Sequence, residues 1–338
     1  MIIDLRSDTV TRPTEAMKEA MMNAPVGDDV FAEDPTINLL QEKAAALFGM
    51  EAGLYCSSGT QTNQIAINVH TRPGDEVICA DMAHVYYYEG GGIALNSGCS
   101  VALIQGDRGR ITAAQIENNI NPDDIHRPIS RLVCLEDTMN KGGGAIYDFE
   151  EIKRISALCR ARGLALHCDG ARLFNALVAT GISPIDYAQY FDSISICLSK
   201  GLGAPVGSVL LGKHDFIKQA RRRRKSMGGG MRQAGIIAAA GLYALEHHID
   251  RLTIDHDRAQ QIGHVLNTLD WVDHVVPVQT NIVIFSLKDK NAAAWVEKLK
   301  KEHILCFPFG SDKIRMVTHL DLTSDHISLL IDRLKSIQ

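Results

Sequence analysis

Short, almost unbroken apolar runs alternate along this chain with segments whose apolar residues recur at helical spacing. Val77-Ile78-Cys79 follows a Pro73-Gly74 turn, and further runs stand at 132–135, 164–167 and 193–198. Runs without alternation mark strands buried on both faces, the pattern of a parallel sheet covered by helices. Between them, 38–48, 148–162 and 216–224 read as helices, the first with Thr36 as its cap and Gly49 as its stop. Strand-helix repetition of this kind predicts an α/β fold with a mostly parallel central sheet. After a small-residue helix at 234–247 the pattern changes. A long polar helix at 249–269 leads to strands at 281–287, 304–307 and 314–317 and a last helix at 324–335. The expected division is a large domain with an N-terminal arm over 1–247 and a smaller C-terminal α+β domain over 248–338. A length of 338 residues accommodates both.

Composition narrows the class. Hydrophobic residues at 46% and charged residues at 22% exclude bulk disorder. Thirty-five basic residues against 40 acidic ones leave a formal charge of −5, which argues against general binding of nucleic acid or an anionic membrane. The longest apolar stretch, 234–245, falls short of the roughly 20 residues of a membrane span. Asp4, Arg6 and Asp8 interrupt any signal-peptide core. The eight cysteines contain no Cys-x-x-Cys pair and sit in or beside apolar runs. Buried free thiols in a reducing, cytoplasmic setting are expected, rather than zinc ligands or disulfides.

Several motifs fail on inspection. In Gly201-Leu202-Gly203-Ala204-Pro205-Val206-Gly207 the third glycine comes one residue late for a dinucleotide turn, and Pro205 stands where the helix should be under way. No phosphate loop of the Gly-x4-Gly-Lys type and no His-Glu-x-x-His is present. The basic block Arg221 to Lys225 has no interleaved aromatics and reads as a solvated helix face or a subunit contact.

One pair carries more. Asp169 closes the apolar run at 164–168 and Lys200 closes the next, 31 residues on, one strand-helix-strand unit away. Both are therefore expected at the carboxyl edge of neighbouring strands, where open α/β sheets bind ligands. A lysine there is costly as a bare ammonium, and tying its amine into a Schiff base removes that cost. An aspartate beside it suits the ring nitrogen of pyridoxal phosphate, although a structural ion pair would use the same two residues. Ser57-Ser58-Gly59-Thr60 opens a helical stretch at 61–70 and reads as a phosphate site or as a plain cap. His84, ahead of Tyr86-Tyr87-Tyr88 and Gly90-Gly91-Gly92, offers a flat ring for stacking or is a core histidine.

Together these segments resemble the low-specificity L-threonine aldolases, pyridoxal phosphate enzymes of the aspartate-aminotransferase-like fold type I. The resemblance covers almost the whole chain. It rests on residues 4–13, which begin Asp4-Leu5-Arg6-Ser7-Asp8-Thr9, on 24–29, and on Ser58-Gly59-Thr60. It continues through Asp169-Gly170-Ala171-Arg172, 197–203 around Lys200, 228–233 and Arg315-Met316-Val317-Thr318-His319. The resemblance implies that Lys200 carries pyridoxal phosphate in Schiff-base linkage and later moves a proton. Asp169 would pair with the ring nitrogen and His84 would lie on the ring face. Ser58, Gly59 and Thr60 would hold the phosphate with Arg232 from a partner subunit, in a homodimer or a dimer of dimers. Ser7, Arg172 and Arg315 would grip the substrate carboxylate, and Lys225 would reach across the subunit boundary. The reaction implied is retro-aldol cleavage of L-threonine, L-allo-threonine and related β-hydroxy-α-amino acids to glycine and an aldehyde. His84 and His126 are the candidate bases for the β-hydroxyl proton. Another reaction on the same cofactor, alanine racemisation or β-elimination, is the alternative.

Three positions depart from the family pattern. Phe31 stands where many relatives have tyrosine, and Asp137 and Met139 replace a common asparagine and histidine. These departures bear on substrate preference and supporting hydrogen bonds rather than on the cofactor.

Overall fold

The computed structural model describes residues 1–337. Its strands are β1 (Ile3–Asp4), β2 (Ala52–Cys56), β3 (Glu76–Ala80), β4 (Ser100–Ile104), β5 (Ser130–Glu136), β6 (Ala165–Gly170) and β7 (Ser193–Cys197). They continue as β8 (Ser208–Gly212), β9 (Val272–Val275), β10 (Ile282–Leu287), β11 (Ile304–Leu305), β12 (Phe307–Pro308) and β13 (Lys313–Val317). Seven of them form the central sheet in the order β2-β8-β7-β6-β5-β3-β4. Pairing is parallel from β7 across to β4, and only β8 runs against its neighbours. Every residue of β3, β7 and β8 is buried, as unbroken apolar runs between two helical layers require.

The helix Pro35–Phe48 starts one step earlier than the expected cap. Asp34, not Thr36, accepts from the amides of Thr36 and Ile37, and Pro35 takes the first helical position where its missing N–H costs nothing. The Thr36 hydroxyl instead donates to the Pro25 carbonyl at 2.6 Å. Gly49 ends the helix at φ +62°.

The expected strand at 304–307 divides in two. Ile304 and Leu305 pair in parallel with β1, whereas Phe307 and Pro308 pair antiparallel with β13. The N-terminal strand thus joins the C-terminal part of the chain. Ile3 and Leu5 pack with Ile262, Leu266, Phe285 and Leu330 in a second hydrophobic core, distinct from the one around the central sheet. The helix Leu252–Leu266 bridges the two, with Leu252 in the larger core and its later residues in the smaller.

The basic block is not simply a solvated face. In the helix His214–Ser226, Arg224 is buried and donates to Asp29 at 2.5 Å and to the Tyr55 carbonyl at 2.6 Å. Arg221 leans on the same aspartate. The block locks residues 28–30 onto the large unit. All eight cysteines are free and buried.

Candidate active site

At the carboxyl ends of β5, β6 and β7 the chain encloses a cavity of about 360 Å³. Ser7, His84, Arg172, Lys200 and Arg315 all reach it, so five of the residues singled out in the sequence meet there. Thr9, Tyr88, Asn140 and Phe307 to Phe309 complete the wall. Asp169 and Lys200 arrive as expected. Asp169 sits on β6 opposite Ser195 of the parallel β7, and Lys200 follows the end of β7.

Asp169 is buried, and only one of its oxygens is satisfied. Oδ1 accepts from the Ala171 amide at 3.1 Å, but Oδ2 has no partner among the described residues. An orphaned carboxylate oxygen in the interior is costly and calls for an explanation. A cationic ring N–H supplies one. Ser58 caps the helix Gly59–His70, its hydroxyl accepting from the Gln61 amide at 3.2 Å, and a helix start of this kind is able to bind an anion. Beside Gly59 lies Ser208, whose buried hydroxyl has only the weakly bonding Cys197 thiol for company. Lysine, unpaired aspartate, histidine and an anion-binding helix start therefore suit pyridoxal phosphate.

His84 is held from below. Its Nδ1 lies 2.9 Å from Glu89, and its backbone amide donates to Glu136 at 2.7 Å. Burial alone would lower its pKa, but the Glu89 bond and the charges of Asp169 and Glu136 raise it above the ordinary value. Glu136 is pushed up to about 7 by burial and by Asp169, its register partner on β6. Glu136 also accepts from the Asn140 amide, and the Asn140 side chain accepts from Arg315 at 2.8 Å.

The two arginines differ. Arg172 gives Nε and Nη2 to the two oxygens of Asp8, each at 2.7 Å. Its Nε–Nη2 edge is thus taken by Asp8, while the side chain still lines the cavity with Nη1 left over. Burial would raise the Asp8 carboxyl, but Arg172, Lys200 and Asn281 bring it down to about 2. Arg315 donates to Asn140 and to the Arg6 carbonyl, while its buried Nε has no partner among the described residues. Arg315 and Ser7 both line the cavity.

Three candidates lie elsewhere. His126 occupies an exposed loop with its Nδ1 on Asp124, outside the cavity. Arg232 pairs with Asp28, and Lys225 is exposed at the end of its helix. Phe31, also exposed, belongs to the same surface patch around residues 28–31. Asp137 and Met139 are buried and outside the cavity wall. Asp137 accepts from the Tyr187 hydroxyl at 2.9 Å, and burial raises its carboxyl to about 7.

Sequence reasoning missed Glu89, Asn140, Ser208 and the role of Asp8. Asp8 stood inside a quoted motif, and the Glu89 position before three glycines was visible but carried no chemistry until the fold closed.

A family model described as beta-eliminating lyase matches residues 4–290. The low specificity L-threonine aldolase of Escherichia coli strain K12 is 45% identical over 97% of this chain and 96% of its own length. A Leishmania major threonine aldolase structure superposes with a TM-score of 0.86 at 22% identity, covering 98% of each chain. A putative L-allo-threonine aldolase from Listeria monocytogenes superposes at 0.79 and 22%, covering 94% of this chain and 92% of that one. At that identity the two structures speak for the fold alone. Fold and cavity define a fold type I pyridoxal phosphate enzyme, a lyase. Within that class the chain belongs to the low-specificity L-threonine aldolase family.

Proposed function

We propose that this protein cleaves L-threonine, L-allo-threonine and related L-β-hydroxy-α-amino acids to glycine and an aldehyde. The observation that carries the reading is the unpartnered buried Asp169 oxygen on the strand beside the one that leads to Lys200, a cavity residue whose neighbours in the wall include Arg315 with its unpartnered Nε. Lys200, Asp169, His84 and the amides at Gly59 and Thr60 would hold pyridoxal phosphate, with Ser58 and Ser208 alongside. Bound there, the cofactor supplies an electron sink for the breaking Cα–Cβ bond.

The chain's own residues orient the rest. Arg315 and Ser7 fix the substrate carboxylate, which sets the rotation of the bonds at Cα. Orientation of that kind contributes several kcal/mol to a barrier. Arg172, tied to Asp8, lends its positive charge and remaining Nη1 to the same wall. His84 takes the β-hydroxyl proton at Nε2 as Cβ–O becomes a carbonyl and the aldehyde leaves. Lys200 Nζ then returns a proton to Cα. His126 is not at hand within one chain.

Arg232, Lys225 and the 28–31 patch lie away from their own cavity, which supports a homodimer, or a dimer of dimers, that shares its sites. No helix among the described residues is long and apolar enough to cross a membrane. Together with eight free thiols, this supports a cytoplasmic placement.

The purified protein should be yellow and release acetaldehyde from L-threonine. Lys200→Ala should lose both colour and release. 2-Oxobutanoate and ammonia from L-threonine, or racemisation of added alanine, would instead favour a sister reaction on the same cofactor, and a colourless wild type would overturn the reading.

A further inference from the structure

Glu89 has a fully buried side chain and sits at the head of the turn Gly90-Gly91, where φ is +62° and +73°. Three donors converge on its carboxylate. Asn63 Nδ2 lies 2.9 Å from Oε1, Gln64 Nε2 lies 2.6 Å from Oε2, and His84 Nδ1 lies 2.9 Å from Oε1. A Cβ at Gly92 would fall 2.5 Å from the Gln64 side chain, so the glycine run is what lets that amide reach. Asn63 and Gln64 belong to the helix Gly59–His70, whose first turn is the phosphate site proposed above.

The protons along this line can be assigned one after another. As a carboxylate, Glu89 only accepts, so Asn63 turns its amide nitrogen toward it and its oxygen toward His167 Nε2 at 3.1 Å. His167 therefore carries its hydrogen on Nε2, and its Nδ1 accepts from the Ser193 hydroxyl at 2.8 Å. The Ser193 oxygen in turn accepts from His70 Nε2 at 2.8 Å. Burial holds His167 down to about 3 and His70 to about 4, so both rings stay neutral and the order does not scramble near neutrality. The line ends at His84, where Nδ1–H points to Glu89. Nε2 has no partner among the described residues, and the ring lines the cavity.

We propose that Glu89 is a positioning residue for the aldol cleavage: it fixes the His84 ring by its Nδ1–H and so leaves Nε2 as the proton-accepting atom toward the substrate hydroxyl. This inference rests on the aldolase reading for its kinetic arm only. The groups that face His84 are Glu89, Asp169 and Glu136, with Tyr88, Lys200, Arg172 and Arg315 around the cavity.

The test compares wild type with Glu89→Gln as holoenzymes and, for the ring itself, as apoprotein. A base must be deprotonated to act, and Glu89 raises His84. The acidic limb of the kcat/KM profile should therefore move to lower pH in the variant, by roughly half a unit or more. At neutral pH kcat should fall about tenfold while KM changes less than about threefold. In histidine-labelled apoprotein the His84 midpoint should move down in the same direction, and its nitrogen shifts should show loss of the fixed Nδ1–H form. If the Gln variant does not fold, Glu89→Asp carries the test. Its shorter carboxylate cannot keep all three donors, and kcat should fall with the visible absorbance of the bound cofactor intact. Activity loss with both the pH limb and the ring midpoint unmoved would assign Glu89 a purely structural role and overturn the proposal. So would wild-type kinetics in either variant. Were the wild type itself unable to cleave threonine, the aldolase reading would fail alone, and the ring midpoint would still decide the role of Glu89.

Discussion

Two buried aspartates answer pH in opposite directions. Asp8 is an anion matched to Arg172, and its depressed carboxyl contributes stability that is complete above the unfolded value near 3.8 and lost as pH falls toward about 2. That shift corresponds to about 2 kcal/mol. Asp8→Asn leaves Arg172 buried without its counter-charge, and breaking such pairs costs about 3–5 kcal/mol. Denaturant titration at pH 7 should show that loss, and the gap to wild type should narrow below about pH 3. Asp137 has the reverse sign. Its folded value of about 7 lies above the unfolded 3.8, so the folded state holds a proton that the unfolded chain gives up. The resulting destabilisation grows from about pH 4 and is complete above about pH 7. Asp137→Asn keeps an acceptor for Tyr187 without the charge. It should raise the melting temperature at pH 8, by about 2–4 kcal/mol in free energy, and make no difference at pH 4. An equal effect at both pH values would show that the carboxyl is ionised in the fold throughout.

The helix Gly59–His70 is both a structural element and the proposed holder of the cofactor phosphate. Its N-cap, Ser58, satisfies the helix itself, whereas Ser208 on β8 offers a hydroxyl that the protein hardly uses. Ser208→Ala should leave the apoprotein as stable as wild type or more so, since a poorly satisfied buried hydroxyl costs about 1–3 kcal/mol. The same change should weaken cofactor retention severalfold, measured by dialysis against excess amine. A drop in apoprotein stability would show that the hydroxyl has a partner in the fold. Elements such as β3, β5, β6 and β7 were legible in the sequence because burial on both faces leaves an unbroken apolar run. The reversed strand β8 was not, since a buried strand looks the same in either direction and Ser208-Val209-Leu210-Leu211 carries no sign of polarity. The run at 304–307 hid a change of partner at Cys306, which only the arrival of β1 reveals. Lys200 and Asp169 could be read as strand ends. Glu89, Asn140 and Ser208 act through neighbours far away in sequence, and no local pattern announces such meetings.

At the scale of the whole molecule, the cavity of one chain gathers only some of the residues that the family resemblance implies. Of the two residues that family resemblance sends to the active site, Arg232 lies instead with Asp28 on an outer patch held in place by the buried Arg224–Asp29 pair, and Lys225 is exposed at the end of the Arg224 helix. A two-fold assembly resolves the discrepancy if each patch meets the other protomer's cavity, because an isologous contact presents the same surface twice. Complementation tests this directly. Lys200→Ala and Arg232→Ala homodimers should each be impaired, the first wholly and the second in part. In a mixed dimer one site combines Lys200 of the first protomer with Arg232 of the second, both intact, and the other site has lost both. Unfolding and refolding equal amounts together makes half the dimers mixed, with one good site in two, so about a quarter of wild-type activity should return. Sites built within single protomers would return nothing above the average of the two parents. The Arg232 patch would then have to be explained by some contact other than a shared cavity.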